Sequence, residues 1–296
     1  MKTLDAARGK WRGILLQLGL PDVHLTARHG PCPLCGGEDR FRFDNKHGNG
    51  SYICNQCGAG TGMQLLQKVK GWDFATAAGE VDKILGNVKA DAVKPAMDDE
   101  KRRKLLNDLW RAGKPIQADC MAGFYLASRG VGLCECPDLR FVEQCPAPDG
   151  VKRPAMIALV RDAEGTPVNI HRTFLGESGK ADMGNPRAMM PGSVPEGSAV
   201  RLFPVAERLG IAEGIETAYA AAKRFGLPVW SAIDAGKLAK WQPPAGCKSV
   251  VVFGDNDRTF TGQAAAYTLA NRLAVKGFEV SVQIPEQEGR DWADEA

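Results

Sequence analysis

Four cysteines restrict the possible folds of this chain more than any other residues do. Cys32-Pro33-Leu34-Cys35 and Cys54-Asn55-Gln56-Cys57 are two C-x2-C knuckles with eighteen residues between them. At that separation two tight turns face each other and four thiolates close a tetrahedral zinc site. Between the knuckles Phe41 and Phe43 alternate with Arg40 and Arg42, a turn-rich stretch runs from Asn45 to Gly50, and Ser51-Tyr52-Ile53 returns. The pattern predicts a β-hairpin with aromatic side chains on one face and basic ones on the other. Arg40, Arg42, Lys46 and Tyr52 are then the candidate contacts to nucleic acid, and the alternative is a zinc scaffold that touches nothing else. With four cysteines completing the shell, His29 and His47 read as surface residues.

The flanking segments carry helical periodicity. Trp11, Ile14, Leu15 and Leu18 predict a helix over Leu4 to Leu18, and Leu65, Leu66 and Val69 a second over Met63 to Val69. A third, Phe74 to Leu85, ends at Gly86-Asn87. Periodicity is then lost up to Asp99, a stretch that contains Pro95, and Asp98-Asp99-Glu100 before Lys101-Arg102-Arg103-Lys104 suits a solvated helix opening with acid at its positive end. The expected organisation is a zinc-binding domain over 1–86, a linker over 87–110, the first subdomain of a core over 111–205 and an α/β domain over 206–296.

From Lys114 to Val142 the sequence reads as helices and turns, with Leu133 to Pro137 a loop, and Arg153 to Leu175 alternates as a hairpin. Cys120, Cys134, Cys136 and Cys145 match no common metal spacing and read as idle thiols. Lys152, Arg153, His171, Arg172, Lys180 and Arg187 cluster here as candidates for gripping phosphates, with a solvated surface as the alternative. Gly176 to Ala181 lacks the spacing of an ATP-binding Walker loop.

Composition excludes few classes. At 44% hydrophobic and 25% charged residues the chain can bury a core, and a net charge of +3 assigns no partner by itself. No apolar run approaches the ~20 residues of a membrane helix and no secretory signal opens the chain, so a cytoplasmic protein without membrane contact is expected.

The last third alternates strand and helix: Leu209 to Ala212, helix Ile215 to Phe225, strand Val229 to Ile233, a loop, strand Val250 to Phe253, helix Gly262 to Val275 and strand Glu279 to Ile284. Right-handed crossovers predict a parallel sheet. Ligands sit at the carboxyl ends of such strands, and there stand Glu213-Gly214 and Asp255-Asn256-Asp257. Carboxylates gathered this way favour a hard divalent cation, Mg2+ or Mn2+, gripping a phosphate substrate. The group Gly289 to Glu295, with Asp291, extends the cation site, and Gly262 at a helix start is a candidate donor to a phosphate.

These motifs together resemble the Toprim domain of primases, topoisomerases and RecR-type recombination mediators. The stretches HRTFL (171–175), AEGIETA (212–218), FGDND (253–257) and GRDWADE (289–295), behind a ribbon with RFRF and YICNQCGAG, are similar to the Toprim primases of phages and mobile elements. The resemblance covers most of the chain and is weakest near 86–110. It implies a multidomain fold: a zinc ribbon of β-strands with flanking helices, an α+β connector and a Rossmann-like α/β Toprim domain. It implies RNA primer synthesis on a single-stranded DNA template from ribonucleoside triphosphates, with Asp255 and Asp257 binding Mg2+. Glu213 would bind metal or assist proton transfer, Asp291 and Asp294 would add metal or supporting contacts, and Arg187 would face the nucleotide. Many relatives continue into a helicase domain, so the chain is expected to be a fragment or a stand-alone primase working with a helicase partner. The rival readings are a RecR-like mediator that clamps DNA without catalysis, and a Toprim nuclease or topoisomerase.

Overall fold

The computed structural model describes residues 2–88, 98–132 and 136–295, and the chain divides into two compact units, 1–96 and 97–296. The first unit opens with α1 (Lys2–Ala7) and α2 (Trp11–Gln17). The single helix expected over Leu4 to Leu18 is broken at Gly9, whose φ of +74° suits glycine and whose N–H donates to Gly48 O at 2.6 Å. Strands β1 (Gly30–Cys32), β2 (Gly36–Phe43), β3 (Tyr52–Cys54) and β4 (Gly58–Gly60) follow as an antiparallel sheet in chain order. Helix α3 (Gly62–Lys70) starts at a capping box, in which Gln64 N–H donates to Thr61 Oγ1 and Thr61 N–H to Gln64 Oε1. Helix α4 (Phe74–Ile84) is capped by Asp73, which accepts from Thr76 N–H at 2.7 Å.

The expected two-faced hairpin is present. Phe41 and Phe43 are buried, while Arg40 and Arg42 on the alternate positions are half-exposed. The aromatic face packs with Trp11, Ile14, Leu15, Leu65, Leu66 and Val81 in one small core. Each such side chain, fully buried, contributes about 1.5–3 kcal/mol.

In the second unit come α5 (Asp99–Ala112), α6 (Met121–Ser128), β5 (Leu139–Pro146), β6 (Lys152–Arg161), β7 (Pro167–Gly176), β8 (Gly179–Lys180), β9 (Arg187–Met189) and β10 (Ala199–Val200). After them come β11 (Arg208–Ala212), α7 (Ile215–Phe225), β12 (Val229–Ser231), α8 (Ala235–Lys240), β13 (Ser249–Phe253), α9 (Thr261–Val275) and β14 (Glu279–Gln283). One mixed sheet runs β14-β13-β11-β12-β10-β6-β7-β8, with β5 beside β6 and β9 beside β7. As expected, β11 pairs parallel with β12 and β13, and β13 with β14. Antiparallel β10 joins this parallel part to the β6–β7 hairpin, pairing with both β12 and β6.

Helix α7 contributes Ala218 and Ala221 to a core on one face of the sheet, whereas α8 and α9 bury Leu238, Leu269 and Leu273 in another. The fold is thus a ribbon unit followed by an α/β unit with a mixed sheet. Of the stretch expected as a linker, Asp99 onward belongs to α5, which buries Leu109 beside Val142, Ile157 and Phe174. Its residues 89–97, Pro95 included, lie outside the described residues, as do 133–135 of the expected loop and with them Cys134. Strand β5 replaces helices and turns expected before Val142. Leu139 and Val142 are buried in different cores, and a bulge between Val142 and Cys145 returns Cys145 to the core of Val142, so the buried positions fall three apart, which imitates a helix. Among the described residues no helix is long and apolar enough to cross a membrane.

Candidate functional site

The zinc centre is assembled by two hairpin turns. Cys32 ends β1 and Cys54 ends β3, each followed by its knuckle, and all four Sγ atoms of Cys32, Cys35, Cys54 and Cys57 lie within 4.8 Å of one another. The Cys32–Cys57 and Cys35–Cys54 sulfur separations are 4.0 and 3.7 Å. Tetrahedral zinc with ~2.3 Å bonds to sulfur needs separations of about 3.8 Å, so the set fits the ion. Backbone N–H groups of Leu34, Gln56 and Cys57 point at Cys32 and Cys54 Sγ, each at 3.4 Å, and stabilise thiolate. Although burial opposes it, the Cys57 and Gln56 amides bring the Cys54 thiol down to about 7, while hydrogen bonding from Cys35 and burial push Cys57 up to about 12.

The acidic centre is built by strand ends of the second unit. Glu213 follows β11 and precedes α7; Asp255 and Asp257 follow the neighbouring β13. The loop that carries Asp291 is tied to them, since Asn256 N–H donates to Arg290 O at 2.9 Å and Gly289 N–H to Asn256 O at 2.6 Å. Asp257 Oδ2 accepts from Gly262 N–H at 2.8 Å, so that donor is committed within the protein instead of being offered to a phosphate. A Cβ on Gly262 would come within 2.7 Å of Asp255 O, so only glycine lets α9 start this close to β13.

The carboxylates are drawn together less tightly than the thiols. Among the described residues only the four cysteines bring three or more ligating atoms within 4.8 Å of one another. They are close enough to perturb one another all the same. Burial, then the charges of Asp257, Asp234 and Asp291, push Glu213 up to about 7 against the opposing pull of Arg187. Burial and then Glu213, Asp291 and Asp257 push Asp255 up to about 8. Burial, with Asp294, also raises Asp291. Asp255 Oδ1 is buried without any hydrogen-bond donor, an arrangement that suits a ligand atom for a hard cation.

These shifts have a sign that can be measured. The raised acids hold their protons more tightly in the folded chain than in the unfolded one, so their contribution to stability is full below about pH 4 and is lost as pH rises through 7 to 8. A divalent cation bound among these acids would remove that cost by taking up the charge. The Mg2+-induced rise in Tm is therefore expected to be several degrees larger at pH 8 than at pH 6, and scanning calorimetry with and without Mg2+ checks it. An equal shift at both values rejects these carboxylates as the binding site.

The expected basic residues separate into distinct roles. Arg187, exposed on β9, is charged within reach of Glu213 and Asp255 and lowers both. Lys180 Nζ lies 3.3 Å from Glu216 Oε1, and Tyr125 Oη donates to the same carboxylate. Glu216 is held below its ordinary range: burial opposes this, and Lys180 with Tyr125 outweighs it. Arg153 pairs with Asp149 at 2.8 Å, in the turn before β6. Arg172 is buried, donating to Pro146 O and Met189 O, which removes it from the accessible phosphate contacts expected of it. His171 is buried too, and burial holds it down to about 4, neutral where a phosphate grip needs charge.

In the ribbon, Arg40 donates to Gln56, and Asp44 pairs with Arg42 at 3.4 Å and with the exposed Lys46 at 3.8 Å. Tyr52 is corrected outright: it is 2% exposed, stacked on Phe41 at 5.4 Å, and its ring belongs to the core. Two site residues escaped the sequence reading. Asp234 caps α8 in the loop that follows β12, directly after the strand expected over Val229 to Ile233, and its charge acts on Glu213. Ser231 Oγ donates to Glu213 O at 2.9 Å and accepts from the N–H of Ile233, a β-branched residue held at φ +80°; nothing in the pattern marked it.

Residues 27–63 match the zinc-binding domain of primase-helicase, residues 208–296 the Toprim domain, and residues 100–202 a domain of unknown function (DUF7146). Among solved structures, the Aquifex aeolicus primase (zinc-binding and RNA polymerase domains) is 16% identical, over 99% of this chain and 81% of that one, at a TM-score of 0.45. The primase fragment of the bacteriophage T7 primase-helicase is 16% identical over 90% and 92%, at 0.40. The E. coli primase catalytic core is 14% identical over 64% and 74%, at 0.44. With four thiols set for zinc in the first unit and acids at parallel strand ends in the second, the chain joins a zinc ribbon of the primase-helicase kind to a Toprim domain.

Proposed function

We propose that this chain is a DNA primase of a phage or mobile element, joining ribonucleotides into short RNA primers on single-stranded DNA. The observation that carries the reading is the buried, donorless Asp255 Oδ1 beside Glu213, Asp257 and Asp291, in a domain that follows a primase-type ribbon. Glu213, Asp255, Asp257 and Asp291 are the residues that would hold Mg2+ or Mn2+. Such a cation would supply charge to neutralise the triphosphate and to lower the pKa of a primer 3′-hydroxyl. Glu213, titrating near 7, is suited to take up the hydroxyl proton. Arg187 supplies the positive charge that orients the triphosphate, and Lys180 stands behind it at Glu216. Arg40, Arg42 and Lys46 give the ribbon a basic edge for the template, and a helicase is the expected partner.

Incubating the protein with a single-stranded template, labelled ribonucleoside triphosphates and Mg2+ tests this. New oligoribonucleotides are expected; cleaved DNA would instead favour a nuclease or topoisomerase, and bound but unchanged DNA a recombination mediator.

A further inference from the structure

Phe260 is in the wrong place for folding alone. It stands between Asp257 and α9 at φ +58°, a left-handed conformation that a side chain with a Cβ adopts only at a cost and that glycine adopts freely. It is also 69% exposed, so its ring recovers little of that cost through burial. Its backbone is fixed: Phe260 N–H donates to Asp257 O at 3.0 Å, and Phe260 O accepts from Ala264 N–H at 2.9 Å. Asp257 is itself anchored through Gly262, so this aromatic residue is held one turn from the acidic centre. A second exposed aromatic, Tyr267, follows seven residues later along α9, with exposed Ala264 between them. Seven residues are two helical turns, so the aromatic positions share a face about 10 Å apart.

Resting on the primase reading, we infer that Phe260 is a stacking platform for a nucleobase at the rim of the acidic centre. Every base has a π-face, and an exposed aromatic residue binds one without reading its identity. The base belongs either to the incoming nucleoside triphosphate or to a strand, and Tyr267 separates these sources, because only a strand extends along α9 to reach it.

The test compares wild type with Phe260→Gly, Phe260→Trp and Tyr267→Ala. Affinities are measured for ATP with Mg2+, for tripolyphosphate with Mg2+ and for a labelled oligodeoxythymidylate, together with the KM for ribonucleotide in primer synthesis. Phe260→Gly is expected to fold with an unchanged or higher Tm and to lose roughly tenfold in affinity for ATP or for the oligonucleotide. Phe260→Trp restores it, and tripolyphosphate, which has no base, binds all variants alike. Loss of ATP affinity with a raised KM and a silent Tyr267→Ala assigns the nucleotide's base. Loss of oligonucleotide affinity, repeated in Tyr267→Ala, assigns the strand. Phe260→Gly binding both within twofold of wild type overturns the platform while leaving the primase reading intact. A wild type that makes no primers yet shows Phe260-dependent binding overturns the primase reading alone.

Discussion

Replacing Asp255 by Asn is expected to reduce primer synthesis by at least ~10³-fold, the scale of losing a preorganised charge at the reacting centre, while leaving Tm in metal-free buffer unchanged or higher. The substitution keeps the side-chain shape and removes the capacity to become an anion. At neutral pH that anion is costly in the folded chain, since burial and three neighbouring carboxylates push Asp255 up to about 8. The residue is thus kept at the expense of stability, a common feature of residues retained for function. Glu213→Gln is expected to behave the same way, for Glu213 is raised to about 7 by the same causes. Ribonucleotide incorporation and a thermal melt on each variant decide the matter. Activity within tenfold of wild type in both would remove the acidic centre from catalysis.

Withdrawing zinc is expected to unfold the first unit and leave the second standing. Structural zinc contributes an apparent ~10–16 kcal/mol at neutral pH, as much as the whole stability of a typical domain at about 5–15 kcal/mol. The ribbon has only a small core around Trp11, Phe41 and Tyr52 to set against that loss. The second unit draws none of its cores from the four ligands. Chelation or Cys35→Ser should therefore expose residues 2–88 to protease, release the remaining ligand thiols to titration and remove the near-ultraviolet signal of the ribbon aromatics. A protected fragment from the second unit should survive. A ribbon that resists protease after complete zinc removal would show that its hydrophobic core suffices.

Much of this architecture is legible in the sequence, and the misses have physical reasons. The ribbon was readable because ligand spacing leaves few geometries, and the parallel strands because strand alternates with helix and right-handed crossovers leave one arrangement. Strand β5 was not, since burial on both of its faces, together with the bulge after Val142, sets its buried residues three apart instead of two. Helix α8 is six residues long and buries only Leu238, too little for a periodic signal in what read as a loop. Among site residues, acids at strand ends were visible from position. The fate of the basic residues was not, because Arg172, Lys180 and His171 look alike in sequence and are separated only by what packs on them: one holds two carbonyl oxygens, one a buried glutamate, one no charge at all. Tyr52 was misread because an aromatic residue among arginines suits a recognition surface and a small core equally well.

Strand β10 is two residues long, yet it laces Ser231 on one side to Val160 on the other. Val160 belongs to the hairpin whose second strand, β7, carries β9 and Arg187, and Ser231 is the residue that holds the backbone of Glu213. Arg187, proposed to orient the triphosphate, and Glu213, proposed to take up the hydroxyl proton, are therefore stitched into one continuous fabric, and a stretch of a few ångströms at this seam would put both out of register at once. Proline at Val200, which cannot donate to the ladder, is accordingly expected to uncouple the two groups without touching either.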